Sequence, residues 1–212
     1  MRTLLALLAA VTLLPADIID QIAVTLDQGV ITSSQIVEEI RVTALLNGEK
    51  PDLGPASRRR TADRLIEQAL VLREMELTRY PKPSAAEVQD ALKQLKSRFP
   101  GEEGFRSELA ERTLTAKQIE EALLRQVTLL RFIDLRFRPE IQIQENDVLD
   151  YYDNVFVPAA RAKGVTAVPS FEAARAQCDE ALTAQLVDKR VDTWLKDARA
   201  RARISYVEDA FQ

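Results

Sequence analysis

The chain contains no histidine. That absence excludes a Ser-His-Asp triad, a Cys-His pair, an imidazole metal ligand and the usual near-neutral proton shuttle. A single cysteine, Cys178, rules out an internal disulfide and any multi-thiolate zinc site. Glycine is scarce, with 6 in 212 residues, and neither GxGxxG nor GxxxxGK[ST] occurs, so the usual phosphate-cradling loops are missing. Any chemistry would have to run on carboxylates, lysine, tyrosine or hydroxyls. The chain is therefore not expected to be an enzyme or to need a cofactor or metal.

What is abundant points to helices. Charged residues make up 29% of the chain and hydrophobic ones 46%, with many Ala, Leu, Glu, Arg and Gln, all good helix formers. The balance of 29 basic against 33 acidic residues leaves a net charge of −4, a poor start for a nucleic-acid binder. Met1-Arg2 is followed by an apolar run, Thr3 to Leu14, and then Pro15-Ala16. This is the pattern of a secretory signal peptide over residues 1–16. The run is shorter than the ~20 residues that span a bilayer, so the mature protein is expected to have no stable membrane span and to lie outside the cytoplasm.

The rest reads as mainly α with a small sheet. Ile22–Leu26 and Val30–Thr32 alternate around Asp27-Gln28-Gly29, the pattern of a β-hairpin whose Gly29 can supply a positive φ. Capping-box pairs Thr32/Gln35, Ser84/Glu87 and Thr115/Gln118 each open an apolar run of helical spacing. A loop is expected over 49–57 and a helix from Arg58 to Tyr80, with Ala62, Leu65, Ile66, Ala69, Leu72 and Leu77 on its apolar face. The helix after Thr115 carries Ile119, Leu123, Val127, Leu130, Ile133 and Phe137. A further helix covers Asp147 to Phe156, and a long last helix from Ser170 carries Cys178 and Trp194. The closing Ile204–Val207 reads as a strand, and the hairpin near residue 22 is its only available partner. The two ends of the mature chain are expected to meet.

Ile18 through Thr32, Asp63 through Val71, Phe137-Arg138-Pro139 through Tyr151-Tyr152, and Trp194-Leu195 through Val207 together resemble SurA-like periplasmic chaperones. The resemblance implies a SurA-like N-terminal helical domain over 17–156, a linker over 157–169, and a C-terminal helix and strand, 170–212, packing back onto it. Relatives usually insert parvulin-type prolyl isomerase domains, with a histidine and glycine-rich loops, where this chain has only the linker. What is implied is the chaperone core alone: an ATP-independent holdase for unfolded outer-membrane proteins or other exported polypeptides, without isomerase activity.

Such a protein needs an adaptable apolar groove with a polar rim. The candidate client-binding residues are the late aromatics Phe132, Phe137, Tyr151, Tyr152 and Phe156, each with ordinary core packing as its competing role. Arg58-Arg59-Arg60 is read as a solvated helix start, and Arg199, Arg201 and Arg203 as one exposed edge that discourages strand pairing. Two other functions stay open: an interaction module for one folded partner, told apart by a pull-down, and a residual prolyl isomerase, told apart by a proline-peptide assay.

Overall fold

The structure, a computed structural model, describes residues 20–212. The expected export signal over 1–16 lies outside the described residues, as do Ile18 and Ile19. Within them the fold is mainly helical, with one small antiparallel sheet.

The sheet starts with β1 (Ile22–Leu26) and β2 (Gly29–Thr32). Contrary to the expectation for Gly29, the positive φ of the turn falls on Asp27, at 51°, while Gly29 is already paired with Leu26. Aspartate is one of the few side chains that tolerate this region, because its short carboxylate bonds locally. An irregularity in register between Ile22 and Val24 puts two successive residues, Ala23 and Val24, into the core.

Thr32 then caps α1 (Ser33–Asn47) with the reciprocal bonds to Gln35 that a capping box requires. Asp20 adds a carboxylate at the same helix start, bonding the Ser34 amide and hydroxyl. Gly48 ends the helix in the left-handed conformation, with φ 70°.

Helix α2 (Pro55–Thr78) begins three residues before the expected Arg58, inside the anticipated loop. Proline at the first helical position loses no bond, since that N–H would have no partner, so Pro55 starts the helix instead of delaying it. Helices α3 (Ala85–Lys96) and α5 (Ala116–Arg136) open on the capping boxes at Ser84 and Thr115, with the short α4 (Gly101–Glu111) between them.

The expected linker over 157–169 is shorter than anticipated. Helix α6 (Glu145–Tyr151) passes through a π turn, Tyr152–Phe156, directly into α7 (Val157–Ala162). Proline inside a helix lacks an N–H and collides with the carbonyl four residues back. The wider π turn sits where Pro158 would meet that carbonyl, and the helical path continues past it. Only residues 163–170 connect it to α8 (Phe171–Arg201).

β3 (Ile204–Tyr206) pairs antiparallel with β1, giving the order β2-β1-β3, so the two ends of the described chain meet as expected. A final 3-10 turn, Glu208–Phe211, buries Ala210 and Phe211 against the hairpin.

Four apolar clusters hold these pieces. The first joins the sheet, α1, α2 and Phe211. The second joins α1, α3, α4 and the first half of α5. The third gathers α2, the second half of α5 and α8. The fourth packs α6 and the π turn on the start of α8. Two leucines depart from the expected stripes: Leu77 is 71% exposed and Leu130 is 55% exposed. Helix α5 buries Ile119, Ala122 and Leu123 in one cluster and Phe132 in another that approaches from a different side. Its buried face therefore turns part-way along, and Leu130 is left outside.

Candidate functional site

The five aromatic candidates do not form one site. Phe132 and Phe137 lie in the third cluster, Phe132 wholly buried and Phe137 only 3% exposed. Phe132 meets Tyr80 edge-on at 5.4 Å and Phe137 edge-on at 5.7 Å, with Trp194 tilted against it at 5.6 Å between ring centroids. Edge-to-face and tilted geometries at these separations are favoured aromatic packing, so this is a closely packed core. Phe132 and Phe137, expected to contact clients, thus lie buried in the aromatic packing of the third cluster. Trp194 anchors α8 here.

Tyr151, Tyr152 and Phe156 are half-buried beside Phe171. Tyr152 stacks on Phe156 at 5.7 Å and donates its hydroxyl to the Pro169 carbonyl at 2.7 Å. This group ties the connector to the start of α8 and leaves part of its aromatic surface open. Cys178 is buried beneath it, and burial pushes its thiol pKa upward, away from the reactive thiolate.

A more open apolar feature lies between the hairpin, α2 and the end of α8, where no candidate residue was placed. Two adjoining hollows share Leu70 and Arg73. The larger, about 500 Å³, runs along Leu26, Gly29 and Ala69 at the hairpin turn. The smaller, about 130 Å³, continues past Leu77, Trp194, Ala198 and Ala202. The floor combines aliphatic and small side chains with Trp194 in the smaller hollow. Ala69, Arg73 and Leu77 recur every fourth residue on one face of α2, which is the sequence signal that locates it.

The rim is polar and arranged around Asp27. Its carboxylate is bonded by the Arg73 guanidinium and accepts the Arg203 amide at 2.9 Å, while the Asp27 amide donates to the Arg203 carbonyl at 2.9 Å. The Arg203 amide, ahead of the Arg73 guanidinium, holds the Asp27 pKa below its ordinary value. Arg73, which lines both hollows, pairs with Asp27 at the hairpin turn.

The arginines expected to share an edge separate. Arg199 turns inward to Asp63 at 2.9 Å and Glu67 at 3.6 Å, while Arg201 and Arg203 are exposed beside the trough. The Tyr206 hydroxyl donates to Asp63 Oδ1 at 2.6 Å and accepts from Arg199 at 3.1 Å. Burial alone would raise the Asp63 pKa, but the bonds from Tyr206 and Arg199 outweigh it and the pKa is lowered. Tyr206 is pushed up, first by burial and then by the Asp63 carboxylate. In Glu67 burial prevails and the pKa is raised.

Arg59, expected to be solvated, lies over the Tyr206 ring at 3.7 Å and pairs with Glu208 at 2.7 Å. Arg58 donates to the Gln212 carbonyl at 3.3 Å. The basic opening of α2 thus fastens the C-terminal tail, which supplies the acidic partner that the helix's own first turn lacks.

Among the described residues no cluster of three or more His, Cys, Asp or Glu side chains could hold a metal, and no helix is long and apolar enough to cross a membrane. Compared with protein-family models and with curated proteins, the chain matches none.

Proposed function

We propose that this protein is a periplasmic, ATP-independent holdase that binds unfolded outer-membrane proteins or other exported polypeptides, without isomerase activity. The observation that carries this reading is the open trough between hairpin, α2 and α8: an aliphatic floor with a charged rim. A surface of this kind takes apolar side chains of an extended segment by burial and keeps the unoccupied protein soluble through its rim. The resemblance of Ile18–Thr32 and Asp63–Val71 to SurA-like chaperones supports the same reading, since those segments supply the hairpin and, with Ala69 and Leu70, part of the α2 side of the trough. The half-open Tyr152–Phe156 group offers a second, aromatic contact for the same client.

The test is suppression of aggregation of a denatured β-barrel protein by the purified protein at near-stoichiometric ratio, followed by light scattering. Suppression without added nucleotide is expected. Unchanged scattering, with no binding of unfolded barrel peptides, overturns the reading.

A second reading has its own observation. Leu124, Leu130 and Leu135 are exposed along α5, a surface suited to one folded partner. In that case a pull-down returns a single defined protein and denatured barrels are ignored.

A further inference from the structure

The trough has a charge asymmetry that the aliphatic floor does not require. Three arginines, Arg73, Arg201 and Arg203, line it, against two carboxylates, Asp27 and Glu74. Asp27 is already engaged by the Arg73 guanidinium and the Arg203 amide. The Arg203 side chain is 87% exposed, with its Nε 4.0 Å from Asp27, beyond hydrogen-bond reach. Arg201, in the last turn of α8, is likewise exposed. The trough thus carries a local positive excess on a chain whose net charge is −4.

We propose that the trough selects polypeptide segments in which short aliphatic side chains are followed by a carboxylate, the aliphatic groups lying over Leu77, Ala198 and Ala202 and the carboxylate meeting Arg201 and Arg203. The proposal rests on the holdase reading and names the client class of the same site. Arginine is the side chain suited to a carboxylate, because its planar fork offers two parallel N–H donors. The net charge of −4 disfavours a phosphate backbone, so the recognised polymer is polypeptide. A lysine in place of the carboxylate would face two exposed guanidinium groups, and like-charge contact disfavours it. Selection by rim charge acts mainly on encounter and is screened by salt.

The experiment is fluorescence anisotropy with the full chain and three labelled peptides sharing one alternating Leu-Ser core, followed by Glu-Glu, Ser-Ser or Lys-Lys. The Glu peptide is expected to bind about fivefold more tightly than the Lys peptide at low ionic strength. That preference should vanish at ~1 M salt, where the Debye length falls to roughly 3 Å. It should also disappear in the Arg201→Ala, Arg203→Ala double variant and survive in the corresponding lysine variant. Equal binding of the Glu and Lys peptides overturns the proposal, as does a preference that the double alanine variant retains. A total lack of peptide binding overturns it too. Barrel-protein aggregation, followed with the same preparation, separates the two claims: suppression without charge preference removes the inference alone, and no suppression removes the holdase reading.

Discussion

Helix α8 is one continuous element, yet its two ends live in different surroundings. Towards its C-terminus Trp194 packs with Phe132 and Phe137, Arg199 bonds Asp63, and β3 follows into the sheet. Towards its N-terminus, among the described residues, α6, the π turn and Ile143 cover it, through Val148, Ala174, Cys178 and half-buried Tyr151, Tyr152 and Phe156. The same residue types are closed core at one end and open surface at the other. What decides is how many elements converge: α2, α5 and α8 around Phe132, but only one helical hairpin around Phe156. Aromatic content is therefore a poor guide to a binding surface here, whereas the geometry of approach is a good one.

The contrast can be broken most severely at Phe132. Phe132→Ala should cost about 3–5 kcal/mol, measured by urea unfolding, because a fully enclosed ring leaves a cavity that three helices cannot all collapse into. Phe156→Ala should cost less, about 1–2 kcal/mol, since its ring is already partly exposed. Hydrogen exchange would sharpen the comparison: the Phe156 variant should lose protection over residues 145–180 and keep it in the sheet. Equal losses from the two substitutions would mean that α8 is uniformly anchored.

The smallest effect concerns the lock at the C-terminal end. Asp63 has a lowered pKa in the folded state, so its contribution is present above its ordinary value of 3.8 and fades as pH falls through the folded value. Tyr206 has a raised pKa, so its contribution is present below 10.0 and is lost as pH rises through the folded value. Glu67, raised by burial, acts in the opposite sense to Asp63 and softens the acid limb. Asp63→Asn should flatten the acid limb of a stability-versus-pH curve and cost about 1 kcal/mol or less near neutrality, because the carboxylate is partly exposed. An unchanged acid limb in that variant would place the control elsewhere.

Much of the fold is legible in single residues. Thr32, Ser84 and Thr115 announce their helices, and each capping box forms. The terminal strand has one available partner and takes it. Departures arise where two requirements meet in one segment. The linker expected from residue 157 begins later, because a π turn carries the helix past Pro158. Leu130 fits a single stripe, but α5 serves two clusters lying in different directions. The trough was harder to see because its floor comes from three distant pieces: the hairpin turn, one face of α2 and the end of α8. Leu77 counted as core on spacing alone, and only the placement of α8 decides that it stays outside. Arg59 was equally hidden, since its partners Tyr206 and Glu208 lie at the far end of the chain.

The order β2-β1-β3 has a consequence in time. Thr25 and Ser205 are neighbours across the sheet, yet nearly the whole chain separates them. At synthesis rates of about 5–20 residues per second the interval between their appearances is roughly 10–35 s. Loop closure over such a length is slow compared with local helix formation, which takes on the order of a microsecond. The nascent hairpin therefore waits as a two-stranded ribbon, marginal by itself, with one side of β1 unpaired. Pairing with β3 follows only after the intervening helices, so the sheet closes once residues 25 to 205 have all been made.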